Sequence, residues 1–466
     1  MRGRRLFTLS VSLGVAALFL GCSHSAPPQS ALGTSKVSLT IHDSPPAGVA
    51  VLSFAITVTG ATLNPTDQGI GSSRQSVSVL NAPVDVELTQ LVTDRAFLGV
   101  AAATEGTYQS LTLTFANARL TIQNNSGSAI GSCANGATCE LTPAVTPASV
   151  IVPFVQGQNS TSLTLTTGGS AGLDIDFDLG QSIQNDLSIL PTLTVAQLPV
   201  GPGSQGQQVF AEIDNLQGVV SYMDFVSKFN LTMNNGQTLT LFVNDTDTQA
   251  FGFTPDSHGL QVGETVRANA RLLVDGTLVA TQVYLEQTVE QAQQRNEIVG
   301  TVSSVDSPTQ FHMVMHDIFP PANGIQVGNV VTVTIQGGAA FDVASDGLTV
   351  PSGLSFASSS DLMIGQEVQV SIASSPAVME VTTDQITLRK SQIAGTVTAN
   401  GFTLGNLPAL FTNSGITAIQ GAVVPETTPV NPNIFLFKTV GVRGLLFNTT
   451  GSPTLVADTV SQRPNQ

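Results

Sequence analysis

Several residue types are scarce in this chain of 466 residues. It contains no tryptophan, three tyrosines, three cysteines, and 16 Lys+Arg against 32 Asp+Glu. The resulting net charge of −16 at pH 7 repels nucleic acid and anionic lipid headgroups, so we expect neither as a partner. The shortage of tryptophan and tyrosine also leaves little material for the exposed aromatic surfaces on which proteins stack sugars.

Familiar catalytic signatures are missing as well. The sequence has no Gly-x-Ser-x-Gly elbow, no His-Glu-x-x-His and no Gly-x-x-x-x-Gly-Lys-Ser/Thr loop. It has only five histidines, of which His24 lies in a segment that we assign to a tether. We therefore predict a protein that is not an enzyme and has no cofactor. A hydrolase with a site assembled from distant residues is the less favoured alternative, because catalytic groups need not be close in sequence.

The N-terminus has the pattern of an export signal. Arginines within the first five residues precede an apolar stretch, Leu6–Leu20, that is too short for a comfortable membrane span. The run Phe19-Leu20-Gly21-Cys22 resembles a bacterial lipobox, although Phe19 stands where leucine is more usual. The resemblance implies cleavage of residues 1–21, a diacylglyceryl thioether on Cys22 and acylation of the new N-terminus. Several acyl chains on one residue are enough for stable anchoring.

Residues 22–36 are rich in Ser, Ala, Pro and Gly and are expected to form a flexible tether. Ser23 follows the lipidated cysteine where an Asp would favour retention in the inner membrane. We therefore predict a protein anchored by lipid in the outer membrane of a bacterial envelope, facing either the periplasm or the surface. An ordinary secretory signal with a chance cysteine is the alternative.

The other two cysteines lie six positions apart, with an Asn-Gly turn between them. In an oxidising compartment we expect Cys133 and Cys139 to form a disulfide. Closing so short a loop should contribute about 2 kcal/mol. A redox pair or a metal site is less favoured, because the spacing is not Cys-x-x-Cys and no histidine is near in sequence.

From Val37 onward, short runs of alternating apolar and polar residues predict β-strands separated by Gly, Asn and Pro. A short helix is expected around Leu88–Val100. We predict an all-β protein with a β-sandwich at 37–197, a linker at 198–208 and three small barrel-like repeats at 209–290, 297–390 and 391–463. The repeats are indicated by recurring Gly-x-Val openings, each followed by a strand that begins with Phe: Gly218, Gly300 and Gly395, followed by Phe229, Phe311 and Phe402.

Motifs in the first predicted domain resemble a known family of bacterial lipoproteins. Four landmarks occur in order: Val37–Ala47, Gly106-Thr107-Tyr108, Leu173–Asp178 with Ser182-Ile183, and Leu190–Val195. Over residues 36–197 the chain is therefore similar to the family called domain of unknown function 4382, which implies a transthyretin- or Cna-B-like sandwich. The three repeats resemble domain of unknown function 5666. Neither family has an established activity.

Two clusters are weak candidates for a metal site. Asp174, Asp176 and Asp178 alternate and would share one face of a strand, where Ca²⁺ could use their oxygens. We favour a solvated strand face instead. His312 and His316 flank two methionines, a composition that suits copper. We favour an incidental surface pair, with Met313 and Met315 in the core.

We therefore predict a non-enzymatic envelope protein with an interaction or structural role, whose partner is an envelope protein or a glycan. The alternative is a carbohydrate-binding module. It requires Tyr108, Tyr222, Tyr284 or several phenylalanines to be exposed together, whereas Tyr108 and Tyr284 lie in predicted strands and are expected to be partly buried.

Overall fold

Strands account for nearly all of the regular structure in a computed structural model of the protein, which confirms the predicted all-β class. The structure describes residues 33–462, except 45–49, 67–74, 158, 204–205, 225–226, 245–246, 254–258, 321–323, 400–401, 424–437 and 451. The predicted signal peptide, Cys22 and most of the tether lie outside the described residues. From Gly33 onward the chain clusters as one compact unit.

The first module contains twelve strands and one short helix, α1 (Leu179–Ser182). Its strands are β1 (Thr34–Ser44), β2 (Ala50–Pro65), β3 (Val77–Ser78), β4 (Val84–Glu87), β5 (Ala96–Thr104), β6 (Gly106–Gln123), β7 (Thr138–Leu141), β8 (Ser149–Gln156), β9 (Asn159–Ser160), β10 (Leu163–Leu165), β11 (Ser170–Asp178) and β12 (Leu193–Gln197). Strand β1 thus begins at Thr34, within the segment that the composition assigns to the tether.

The first module folds back on itself around one apolar core. The main strand order is β3-β2-β6-β8-β12-β11-β1-β5, and the inward side chains of strands at its two ends meet. Phe177 of β11 lies 5.9 Å from Phe54 of β2 and 5.6 Å from Phe115 of β6, measured between ring centroids. This contact between opposite parts of the sheet is what a β-sandwich requires.

The region Leu88–Val100 is not the predicted helix. It contains a single 3-10 turn, Leu88–Gln90, and the start of β5. Leu88, Leu91 and Phe97 are buried, so the apolar residues that suggested helical spacing are anchors of a loop and of a strand. Pairing of β5 with β1 overrides the weak local pattern.

The second module is a closed ring of five strands. The module has seven strands, of which β13 and β17 are short and lie outside the ring. They are β13 (Gly201–Pro202), β14 (Gln208–Asp224), β15 (Lys228–Met233), β16 (Thr238–Phe242), β17 (Gln249–Phe251), β18 (Thr265–Leu273) and β19 (Leu278–Gln287), followed by helix α2 (Val289–Gln294). Pairing runs from β14 through β15, β16, β19 and β18 and returns to β14. A closed ring of this size has room only for side chains in its interior.

The third and fourth modules are two such rings that share a strand. Their strands are β20 (Glu297–Ser307), β21 (Gln310–Phe319), β22 (Val330–Val343), β23 (Glu367–Ala377), β24 (Glu380–Ala399), β25 (Thr403–Gly405), β26 (Ile419–Val423), β27 (Thr439–Phe447) and β28 (Thr454–Gln462), with helix α3 (Ala409–Thr412). Strand β24 pairs with β22 and β23 up to Arg389 and with β27 from Lys390 onward. The rings therefore join without a linker.

The glycines that open the first two repeats, Gly218 and Gly300, serve one steric purpose. A Cβ on Gly218 would lie 2.4 Å from the carbonyl oxygen of Thr232, and one on Gly300 would lie 2.1 Å from that of Val314. Both separations are too short for any side chain, so the neighbouring strand can approach only a glycine. The phenylalanine that follows each opening is buried in all three rings: Phe229, Phe311 and Phe402.

The modules are packed against one another as well as linked in sequence. Phe97 of the first module is part of the core of the second. Leu52 of the first module, Val314 of the third and Leu410 of the fourth form a small apolar cluster. These contacts bring charged faces of all four modules to a common junction.

Candidate functional site at the junction of the modules

Side chains from all four modules line a cavity of about 400 Å³. This volume falls in the usual range of small-molecule sites, about 300–1,000 Å³. The cavity contains much of the positive charge of a chain that has only 16 Lys+Arg. Its basic side chains are Arg95, Arg119, Arg267, Arg389, Lys390 and Arg443.

Arg443, on β27 of the fourth module, connects three modules. Its guanidinium lies 2.9 Å from Asp94 of the first module, 3.1 Å from Asp214 of the second and 3.0 Å from Asp458 of its own module. Lys390 lies 2.8 Å from Asp458. A buried charge without a partner is strongly destabilising. Loss of any one member of this cluster should therefore weaken the contact between the modules.

A second buried cluster joins the second and third modules. Arg267 of β18 lies 3.0 Å from Glu286 and 2.7 Å from Asp346, and Arg389 of β24 lies 2.8 Å from Glu286. The guanidinium of Arg267 is also 4.3 Å from the ring centre of Tyr284, a distance at which cation–π attraction adds to the ion pairs. Arg267 and Arg389 are nearly fully buried.

Burial and pairing shift the pKa values of these groups in opposite directions. Burial raises the pKa of Asp94 above its usual value even though Arg443 is adjacent. Burial acts against the ionised form of Asp458 too, but the charges of Arg443 and Lys390 prevail and lower the pKa of that carboxyl. Asp458 is therefore held in its charged form more firmly than Asp94.

His316 occupies a bulge in β21 and points to the junction. Met315 pairs with Gly300 and Asp317 with Val299, which leaves His316 between paired positions. Its Nδ1 lies 3.1 Å from Glu367 and its Nε2 lies 3.2 Å from the carbonyl oxygen of Leu52. Burial alone would lower the pKa of His316, but the carboxylate of Glu367 outweighs it and raises the pKa to about 9.

Neighbouring acids are perturbed mainly by burial. Burial raises the pKa of Asp317 to about 6, although Asn234 donates a hydrogen bond to that carboxyl. Burial, together with the charge of Glu286, raises the pKa of Glu297 to about 7. The junction thus contains two carboxyl groups, those of Asp317 and Glu297, whose protonation changes near neutral pH.

Three side-chain donors at the cavity have no hydrogen-bond partner. They are Nε2 of Gln217, Nε of Arg119 and Nε of Arg443. Gln217 is only 5% exposed, so its amide has no full compensation from bulk solvent. Unpaired buried donors are costly. All three residues line the same cavity, which marks it as a place where acceptor atoms of a ligand can bind.

The structure overturns the interpretation of Asp174 as part of a solvated face. Asp174 is buried, and its carboxylate contacts Arg95 at 3.0 Å, accepts a 2.7 Å hydrogen bond from Thr40 and lies 3.4 Å from His42. Burial would raise the pKa of Asp174, but His42 and Arg95 lower it to about 2. The neighbouring strand β1 and the loop at Arg95 cover this face, which the alternation alone did not reveal.

Asp176 and Asp178 differ from Asp174 in role. Asp176 lies 3.6 Å from the second ring nitrogen of His42, and Asp178 caps helix α1 through the amide of Gln181. The residues expected on the opposite face are buried as predicted: Leu173, Ile175, Phe177 and Leu179.

His312 and His316 do not form the incidental surface pair that the sequence favoured. His312 is partly exposed and lies 2.8 Å from Asp306, whereas His316 is buried against Glu367. The bulge at His316 separates the surroundings of the two rings. Met313 and Met315 are fully buried in the core of the third module, as predicted.

The predicted disulfide is present. Cys133 and Cys139 are bonded, with their Cα atoms 5.8 Å apart. Tyr108 and Tyr284 are buried, whereas Tyr222 is 50% exposed. Within the described part of the chain, no group of three or more His, Cys, Asp or Glu side chains is placed to hold a metal ion. None of the described helices has the length and apolar character needed to cross a membrane.

Sequence reasoning missed the residues that build the junction: Asp94, Gln217, Arg267, Arg389 and Arg443. One signal for them exists. In a chain with few charges, arginines interrupt apolar strands at Val266-Arg267-Ala268, at Leu388-Arg389 and at Val442-Arg443. A charge at such a position needs a partner from elsewhere in the fold. The sequence does not say which partner.

The fold and the junction define a multi-module, all-β protein built around a charged internal cavity. Residues 34–190, nearly the range of the predicted resemblance, match the family described as "Domain of unknown function (DUF4382)". Over these residues the chain is similar to a family whose function is unknown. Comparisons with curated proteins and with solved structures found no match for this chain.

Proposed function

We propose that this protein is a lipid-anchored component of a bacterial envelope that acts by binding and not by catalysis. The observation that carries the proposal is the junction, where ion pairs join four modules around one cavity. Buried pairing on this scale favours a rigid body that presents a fixed site.

The anchor is supported by the run ending at Cys22. Cys22→Ser should move the protein from the membrane fraction to the soluble fraction of the envelope, with Ser25→Ala as a matched control that stays in the membrane. Ser23→Asp should shift the protein from the outer to the inner membrane. Membrane retention of Cys22→Ser would contradict the anchor.

A binding role agrees with the surroundings of His316. A serine hydrolase needs the far nitrogen of its histidine to reach a serine hydroxyl, whereas Nε2 of His316 lies against the carbonyl oxygen of Leu52. The ring contacts Leu52 and Gln90 of the first module and Glu367 of the third, which suits a histidine that holds modules together.

The second candidate is a carbohydrate-binding surface. Tyr222 and Phe242 are exposed on the second module, and the ammonium of Lys228 lies 6.0 Å from the ring centre of Phe242. The pairing of β14, β15 and β16 places Tyr222 and Phe242 on the same face, two strands apart. A face of this kind could hold a sugar, but Tyr108 and Tyr284 do not contribute to it.

A pull-down from envelope extract with the full-length chain, run beside a glycan array, separates these candidates. An envelope protein captured by the wild type supports the first. Glycan binding that Tyr222→Ala abolishes, without a captured protein, supports the second. The resemblance of the three rings to domain of unknown function 5666 belongs to this proposal too, and it is supported by the equivalent glycines Gly218 and Gly300.

A further inference from the structure

We propose that the junction cavity binds a small, neutral, hydroxyl-rich molecule of the mono- or disaccharide class. The inference rests on the proposal that the protein acts by binding. The site proposed is the cavity between the modules, where hydrogen bonds recognise the ligand, and not the exposed face of Tyr222 and Phe242.

The unpartnered atoms at the cavity define what the ligand presents. Nε2 of Gln217 and the Nε atoms of Arg119 and Arg443 are all N–H donors. Among the described residues that line the cavity, no buried side-chain acceptor is left without a partner. A ligand in the cavity that carries acceptor oxygens can therefore satisfy donors that the protein leaves unpaired.

Three other amides of the second module at the cavity are already used in the fold. Asn235 donates to the carbonyl oxygen of Asp85 at 3.1 Å, and Gln237 donates to that of Phe97 at 3.1 Å. Asn269 donates to the side-chain oxygen of Gln282 at 2.8 Å. These bonds fix the wall of the cavity and set Gln217 apart as the amide whose donor remains for a ligand.

Charge excludes an anion as the favoured ligand. Arg443 alone faces three carboxylates, those of Asp94, Asp214 and Asp458. Arg267 faces two, Glu286 and Asp346. The guanidinium groups of Arg443 and Arg267 are therefore neutralised by the protein, and the chain as a whole carries a net charge of −16. A neutral ligand gains hydrogen bonds without this repulsion.

Sugar hydroxyls carry no charge and offer acceptor oxygens, which are the two properties that the cavity favours. Each hydroxyl oxygen accepts from an N–H donor, and its proton can be donated to carboxylates at the cavity, which have more lone pairs than their ion pairs use. The cavity of about 400 Å³ has the size of a small-molecule site. At this site the ligand would be held by guanidinium, amide and carboxylate groups. At the exposed Tyr222 face it would instead stack on aromatic rings.

The test is titration calorimetry of the full-length chain in a detergent that has no sugar headgroup. The probes are glucose, galactose, N-acetylglucosamine, lactose and maltose, with glucuronate and inorganic phosphate as anionic probes. We expect a neutral sugar to bind with a Kd below about 1 mM. Gln217→Met, which keeps the size and removes the donor, should weaken binding about tenfold. Gln156→Met, at an exposed position of β8, should leave it unchanged.

Thermal unfolding of each variant shows whether it is folded, and Arg119→Lys gives a second variant that keeps the charge but removes Nε. It should weaken binding in the same direction. Binding of glucuronate or phosphate alone would overturn the neutral class of ligand. Binding that is equal in wild type, Gln217→Met and Arg119→Lys would overturn the site. Failure of every neutral sugar would overturn the inference, whereas an envelope protein captured in the pull-down would still support the proposed function.

Discussion

The core of the first module and the junction between modules are both buried, but they are stabilised by opposite chemistry. In the core, Phe177 packs between Phe54 and Phe115, and dispersion and the hydrophobic effect act without strict direction. At the junction, Arg443 is held by carboxylates from three modules. A core tolerates changes of shape better than a buried ion cluster tolerates loss of one member.

The largest effect is expected at the junction. Arg443→Met removes the cation and leaves the buried Asp94 and the partly buried Asp214 without it, which should cost about 3–5 kcal/mol. The urea midpoint, followed by far-ultraviolet circular dichroism, measures the loss. Arg271→Met is the matched control, because its partner Glu212 is exposed and such pairs contribute about 0–1 kcal/mol. Equal losses in the two variants would contradict the importance of the junction.

A comparable loss should follow from a cavity in the core. Phe177→Ala should destabilise the first module by about 3–5 kcal/mol, because the ring is fully buried. Phe177→Leu, which keeps much of the volume, should cost clearly less. For Arg443 the analogous mild change, Arg443→Lys, should remain severe, since a single ammonium cannot reach three carboxylates. A mild Arg443→Lys would remove the distinction between the two regions.

The junction should respond to pH where the core does not. The pKa of His316 is raised to about 9 from 6.5, so its contribution to stability is complete below about pH 6.5 and is lost as pH rises through about 9. The loss is on the order of 3 kcal/mol. His316→Gln should flatten the alkaline limb of thermal stability, and Phe177→Leu should leave the shape of that limb unchanged. An unaltered alkaline limb in His316→Gln would contradict the assignment.

A smaller effect is expected at the disulfide, which lies apart from both regions. Replacing Cys133 and Cys139 together by serine should cost about 2 kcal/mol, because the bond closes a short loop. Non-reducing peptide mapping of the wild type should recover the two cysteines in one linked fragment. Recovery of two free thiols would refute the bond.

The contrast also explains which features could be predicted from the sequence. Alternation within a strand, such as Leu173, Ile175 and Phe177, reports burial directly, because neighbouring residues alternate between faces. The repeat of Gly218 and Gly300 reports a close approach of adjacent strands. Cys133 and Cys139 are six residues apart. All of these are local patterns.

The junction is not local. Asp94 and Arg443 are 349 residues apart, and their pairing depends on how complete modules pack. The same limit explains the error at Asp174, whose position in an alternating strand suggested exposure until Arg95 and His42 covered it. It also explains His316, because a bulge changes which face a side chain occupies. Such contacts leave only an indirect trace, namely a charge inside an apolar strand.

The central claim is that buried ion pairs at the junction couple the modules into one body. Differential scanning calorimetry of the full-length chain and of Arg443→Met tests it most directly. The wild type should unfold in one endotherm, and the variant should show a separate, earlier transition, because the modules no longer stabilise one another. Independent transitions in the wild type that Arg443→Met leaves in place would contradict the claim.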